Sequence, residues 1–187
     1  MKIPTLITLV GMPGAGKSSC VDYLKSKGLP SVYFGGITLK EVEKRGLSVT
    51  PENEKLVRED LRKIHGNDAY AKLISKEIED LAKKGSHTIV VDGLYSWSEY
   101  KFFKQKYGDD AIVIAITAPR HTRHERLANR PERPLTDEQT TSREYAEIEN
   151  IEKGGPIANA DYTINNRGDV DTLTKKIDSL LKEIINY

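Results

Sequence analysis

Five short runs of β-branched and apolar residues recur along the chain: TLITLV (Thr5 to Val10), SVYF (Ser31 to Phe34), HTIVVD (His87 to Asp92), AIVIAIT (Ala111 to Thr117) and DYTI (Asp161 to Ile164). The longest are apolar on both faces, which predicts strands of a parallel sheet covered by helices on each side. Between them the apolar period lengthens to that of a helix. KSSCVDYLKSKG stops at Gly28, PENEKLVREDLRKIHG starts on a proline and stops at Gly66, and NDAYAKLISKEIEDLAKKG places Ala71, Ile74, Ile78 and Leu81 on one face before Gly85. TDEQTTSREYAEIENIEKGG opens with Thr136 and Gln139 at capping-box spacing. VDTLTKKIDSLLKEIINY carries Leu173, Ile177, Leu180, Leu181 and Ile184 as one stripe. Strands alternating with helices predict one α/β unit over 1–187, with ligands at the carboxyl ends of the strands.

Composition narrows the partners. The chain has 187 residues, long enough to bury a core as one unit. Lys+Arg 29 against Asp+Glu 28 leaves it near neutral, so no broad basic track for nucleic acid or a membrane surface is expected. The chain enters its first strand within a few residues, without a basic and apolar leader, and no apolar run approaches the ~18 residues of a membrane span. A cytoplasmic protein is expected; its oligomeric state is left open. The single cysteine, Cys20, has no partner for an internal disulfide and reads as a small apolar helix residue.

One turn stands out chemically. GMPGAGKSS, Gly11 to Ser19, lies between the first strand and the first helix with the spacing G-x-x-x-x-G-K-S. Glycines at 11, 14 and 16 allow the backbone to wrap a polyphosphate, and the N–H groups from Gly14 and Ala15 to Ser19 can point at it. Lys17 can reach the β- and γ-phosphates, the Ser18 hydroxyl can ligate Mg2+, and the helix N-terminus adds its positive end. ATP and Mg2+ are the expected ligands. Asp92, ending an apolar strand, is placed to face this loop and hold Mg2+ or its water; the alternative is a turn aspartate before Gly93.

PRHTRHERLANRPERP concentrates Arg120, Arg123, Arg126, Arg130 and Arg133 against Glu125 and Glu132. Phosphoryl transfer needs cations that gather around the γ-phosphate, and a closing arginine lid over 120–143 meets that need. Arg126 and Arg130 stand four apart, as on one helix face, and Pro131 and Pro134 break the helix into a hinge-like loop. The alternative is a solvated basic face. Arg58 and Arg62, also four apart, can clamp an acceptor phosphate, or pair on the surface with Glu54 or Glu59.

In this order and spacing, GMPGAGKS, TPEN, the LR of EDLRKIHGNDAYA, VVDG, TRHERL, SREYAEIE, GGPIANADY and INNRGDVDTL resemble the P-loop kinases of small phosphorylated metabolites. These are the nucleoside monophosphate and dephospho-CoA kinases and their adenylate kinase-related members. The resemblance implies a three-layer α/β/α P-loop fold with a five-stranded parallel sheet in order 2-3-1-4-5. It implies an acceptor region over 35–85, a lid with Arg130 and Arg143 in catalysis, and an adenine-contacting loop near Asn166 and Gly168, with Arg126 on the nucleotide side. The acceptor side departs from the pattern. Gly36 stands where relatives carry an aspartate, and Leu94 and Tyr95 replace an arginine after VVDG, leaving Gly36, Gly93, Arg58 and Arg62 as acceptor candidates.

The reaction expected is ATP- and Mg2+-dependent phosphoryl transfer to a nucleoside or deoxynucleoside monophosphate or to dephospho-CoA. A phosphate acceptor, carrying about −1.5 to −2 charge, needs cations and no base, which suits the loss of a carboxylate at Gly36. A regulatory ATPase without an acceptor is the alternative from another class. A kinase of nucleic-acid ends fits the neutral charge poorly, and INNRGD is not the N-K-x-D of a guanine site.

Overall fold

A computed structural model describes residues 3–185. Among them, β1 (Thr5–Val10), β2 (Ser31–Tyr33), β3 (Thr88–Asp92), β4 (Ala111–Thr117) and β5 (Tyr162–Asn165) form one sheet in order β2-β3-β1-β4-β5. Every neighbouring pair is parallel. The expected order therefore holds. The helices are α1 (Lys17–Ser26), α2 (Phe34–Lys44), α3 (Pro51–His65), α4 (Ala69–Lys83), α5 (Trp97–Tyr107), α6 (Arg120–Ala128), α7 (Asp137–Ile151), α8 (Gly154–Ala158) and α9 (Val170–Ile185).

Successive strand residues divide between two cores, as the pleat requires. Leu6, Val10, Ile89, Val91, Val113 and Ala115 face α2 to α5, where Phe34, Val57, Ile74 and Phe103 are fully buried. Ile7, Leu9, Val90, Ile114 and Ile116 face α1 and α9, against Cys20, Leu24, Leu173, Ile177 and Leu181. Two-sided burial is why the strands read as continuous apolar runs.

The structure corrects several of these elements. SVYF is a strand only to Tyr33; Phe34 begins α2, a helix that FGGITLKEVEK conceals behind two glycines and β-branched residues. Phe34, Thr38 and Val42, at i, i+4 and i+8, hold it by burial instead. The aromatic-rich α5 was also not expected, although Ser96 and Glu99 form a complete capping box at its start. α7 stops at Ile151 rather than running to Gly155, because Glu152 takes a left-handed conformation, φ 52°, and its N–H returns to the Ile148 carbonyl. α6 ends at Ala128, so Arg126 and Arg130 do not share a helix face: Arg130 lies in the loop beyond. The expected last helix reached Tyr187, and its final two residues lie outside the described ones.

The register sets the site. Leu9 is level with Asp92, Val10 with Ala115, and Thr117 with Asn165. The loop after β1, the carboxylate ending β3 and the loop after β5 therefore emerge at the same edge, with β1 central between the two halves of the sheet.

Candidate active site: a phosphate loop ringed by lysine, arginine and aspartate

The Gly11–Gly16 turn is packed as well as bent. At Gly14, φ 76°, a Cβ would lie 2.5 Å from the Arg123 carbonyl oxygen; at Gly16, φ 105°, it would lie 2.3 Å from Asn166 Nδ2. Only glycine fits both the conformation and the space. Gly11 leaves β1 against the Ile116 carbonyl, Ala15 is buried, and the Ala15 N–H closes the turn onto the Met12 carbonyl at 3.1 Å. α1 begins at Lys17 with no side-chain cap and no acidic residue in its first turn. Its leading N–H groups and positive dipole end are thus left for an anion. Ser18 is exposed and Ser19 partly buried at this mouth.

Lys17 lies among Lys153, Asp92, Glu147 and Arg143. Loss of water around its ammonium, and next the charge of Lys153, lower its pKa to about 8. Asp92, partly buried at the end of β3, is shifted upward by burial, with the charge of Lys17 opposing. Lysine and aspartate therefore lie close enough for each to feel the other's charge.

Arg143 on α7 donates to Glu147 at 2.9 Å, and the same carboxylate binds Lys153. Burial opposes ionisation of Glu147, yet the charge and hydrogen bond of Lys153 hold its pKa below the usual range. The Lys153 ammonium also stands 5.1 Å from the centre of the Tyr95 ring. That ring folds back over Gly93, where φ is 104° and a Cβ would come within 2.7 Å of it. Arg130 donates to the Arg133 carbonyl at 2.6 Å; burial and then the charge of Arg143 lower its pKa, so these two arginines approach each other.

Arg126 acts as a tie. Its guanidinium donates to the carbonyls of Gly168 at 2.9 Å, Asn166 at 3.3 Å and Gly14 at 3.5 Å, while Asn166 Nδ2 donates to the Ala15 carbonyl at 2.8 Å. The loop after β5 is thus fastened to the phosphate loop. Arg120 and Arg123 belong to a different cluster: both bind the buried Glu144, Arg120 at 3.3 Å, and His124 Nε2 lies 3.3 Å from the same carboxylate. Of the arginine run, Arg130 reaches the group around Arg143, whereas Arg120, Arg123 and Arg126 are engaged in holding elements together.

On the other side of Asp92, Tyr33 is half exposed, and Gly36, on α2, has the Tyr33 ring as its nearest side chain. Arg62 lies over the Tyr70 ring at 5.3 Å, the Tyr70 and Thr38 hydroxyls share a 2.7 Å hydrogen bond, and Arg58 reaches Glu54 at 3.5 Å. Arg58 is thus drawn to a surface carboxylate, the alternative its spacing allowed. Glu99 was not foreseen. Its Oε2 accepts from the N–H groups of Tyr95 and Ser96, both at 2.9 Å, and its buried Oε1 has no hydrogen-bond partner among the described residues. Glu147 and Lys153 were also missed: six residues apart across a helix end, they share no helical spacing, and EKGG reads only as a stop.

Among the described residues, no three or more His, Cys, Asp or Glu side chains form a metal-holding group. Ser18 and Asp92 offer the few oxygens that suit Mg2+ bound largely by phosphates and water. No described helix is long and apolar enough to cross a membrane.

Comparison with known proteins gives a family and a fold. Residues 7–152 match the AAA domain family AAA_18. A UPF0200 protein of Thermococcus kodakarensis is 36% identical over 184 residues, covering 97% of this chain and 98% of its own. Three solved structures share the fold. TT1252 from Thermus thermophilus has TM-score 0.68 and 18% identity, covering 98% of this chain and 99% of its own. A sugar kinase from Janibacter has TM-score 0.61 and 14% identity, covering 97% and 96%. Dephospho-CoA kinase from Campylobacter jejuni has TM-score 0.55 and 16% identity, covering 98% of each. The chain is a member of the UPF0200 family, built on an AAA_18 P-loop domain.

Proposed function

We propose that this protein transfers the γ-phosphoryl group of ATP, with Mg2+, to a small nucleotide-like acceptor: a nucleoside or deoxynucleoside monophosphate, or dephospho-CoA. The observation that carries this reading is the gathering of Lys17, Asp92 and Arg143 around one uncapped phosphate loop. A turn that only joined a strand to a helix has no use for that arrangement. The kinase folds with which the chain shares its topology are consistent with it.

In this reading the backbone from Gly11 to Ser19, Gly14, Ala15 and Gly16 included, cradles the polyphosphate, and Lys17 follows charge toward the transferred group. Ser18 and Asp92 hold Mg2+, which when bound neutralises charge on the β- and γ-phosphates. Arg143 and Arg130 face the transferring group. Asn166 and Gly168, fixed by Arg126, form the loop beside the adenine. The acceptor enters from the Tyr33 side over α2 to α4, the region 35–85, past Gly36 and Gly93, with Arg62 as its cation and Arg58 joining only by leaving Glu54. The lid is the loop of residues 129–136 within the expected 120–143, since α6 is tied down by Glu144 and by the Arg126 contacts. With glycine at position 36, no carboxylate stands there as a base, which favours a monophosphate acceptor over the hydroxyl of dephospho-CoA.

The test is ADP release from ATP and Mg2+ with nucleoside and deoxynucleoside monophosphates, dephospho-CoA and nucleosides as separate acceptors. At least one phosphate-bearing acceptor is expected to raise ADP release tenfold or more over ATP alone. Lys17→Ala should abolish this at an unchanged thermal midpoint. Release that no acceptor stimulates overturns the kinase reading and leaves a regulatory ATPase. A preference of tenfold or more for dephospho-CoA, about 1.4 kcal/mol in transition-state binding, overturns the argument from Gly36.

A further inference from the structure

We propose that Lys153 is a second phosphate-binding lysine, which with Lys17 and Arg143 encloses the terminal phosphoryl group of the bound nucleoside triphosphate. The proposal rests on the reading of the Gly11–Ser19 loop as an ATP site.

The Lys153 side chain is 3% exposed. A lysine buried to that degree is retained at a cost in desolvation, and an apolar pair of similar volume in place of Lys153 and Glu147 would serve stability as well or better. Its neighbours add to the cost. Of the charged groups around Lys17, Lys153 acts on it most strongly, and the two ammoniums repel. Around Lys17 three cations, Lys17, Lys153 and Arg143, meet two carboxylates, Asp92 and Glu147, while burial opposes ionisation of the third carboxyl, Glu99 beside Lys153, so an entering anion meets positive charge. Glu99 also acts on Lys153, more weakly than Glu147 and Arg143 do.

The backbone aims Lys153 at this group. Glu152 adopts φ 52°, a left-handed conformation uncommon for a residue with a side chain, and the Lys153 N–H closes onto the Glu147 carbonyl at 3.2 Å. Glu147 then fixes the ammonium with one carboxylate oxygen while its other takes Arg143, and the Tyr95 ring supports the ammonium at 5.1 Å. An ammonium has three N–H donors, so pairing with Glu147 leaves it able to donate to a phosphoryl oxygen as well.

A triphosphate and a diphosphate differ by the group Lys153 is assigned to hold, and that difference is the test. Wild type, Lys153→Met and Lys153→Arg are titrated calorimetrically, with Mg2+, using the non-hydrolysable β,γ-imido analogue of ATP and using ADP. Lys153→Met is expected to weaken the triphosphate analogue tenfold or more and ADP less than threefold, with Lys153→Arg keeping most of the wild-type discrimination. Equal losses for both ligands, or no loss for either, overturn the assignment while leaving the ATP site in place. Wild-type protein that binds neither nucleotide overturns the loop reading and this proposal with it. Should Lys153→Met fail to fold, the double variant Lys153→Met, Glu147→Gln removes both members of the buried pair, and the same difference between the two ligands decides.

Discussion

Lys17 meets an approaching anion with a weakened hold on its proton. Its pKa is lowered to about 8, by desolvation first and by Lys153 second, so the charge is present below that pH and lost above it. If the loop binds a polyphosphate, as proposed, it takes the protonated form and pulls the pKa back up. Affinity for metal-free ATP is therefore expected to be nearly flat from pH 7 to 8, then to fall by up to about tenfold per pH unit. Calorimetric titrations at pH 7, 8 and 9 check this, and equal affinities at pH 8 and 9 contradict it. The loop itself was legible because its chemistry is written in consecutive residues. Lys153 and Glu147 were not, because they meet only through the left-handed turn at Glu152, and one sequence does not announce a positive φ at a glutamate.

The arginine run shows how the same residue type divides its work by element. Glu144 of α7 collects Arg120, Arg123 and His124 from α6, and its burial, which opposes ionisation, is outweighed by the His124 hydrogen bond and the Arg123 charge. This cluster locks the two helices around the loop that carries Arg130. Glu144→Gln removes the counter-charge of the partly buried Arg123 and of the exposed Arg120 and disturbs the contact with the buried His124, and is expected to cost about 1–3 kcal/mol in urea unfolding. Because Arg123 also donates to the Pro13 carbonyl at 3.4 Å, hydrogen exchange should rise in the phosphate loop as well as in α6. A loss under about 0.5 kcal/mol would show that the cluster is surface ornament. Elements with one apolar stripe, such as α4 and α9, or with clear caps, such as α3, were readable from the sequence. α2 was not, since its two glycines and β-branched residues speak against a helix and only burial of Phe34 and Val42 against the sheet decides the matter.

At the scale of the molecule, Cys20 reports on the whole. It is fully buried between α1 and the sheet, and burial pushes its thiol up to about 12. A thiol reagent should leave it unmodified in the native state and modify it stoichiometrically in denaturant. If the loop binds ATP and labelling requires opening of α1, then ATP at about 100 times its Kd should slow labelling about a hundredfold, because binding adds about 2.7 kcal/mol to the folded state. Rapid labelling of the native protein would mean that α1 opens locally, apart from the rest.

The division of the core into two faces bears on how such a chain changes over generations. One face seats α1 and α9, and the other seats α2 to α5; the strands stand between them as a common wall. Substitutions in contact tend to require one another, whereas substitutions that share no partner are close to independent. Residues packed on the far side of the sheet can therefore drift as a group, reshaping the region around Tyr33, Tyr70 and Arg62, without demanding compensating changes around Cys20, Leu24 and Ile177. If the acceptor of the proposed reaction binds on the far side, its site can change while the α1 and α9 face stays as it is.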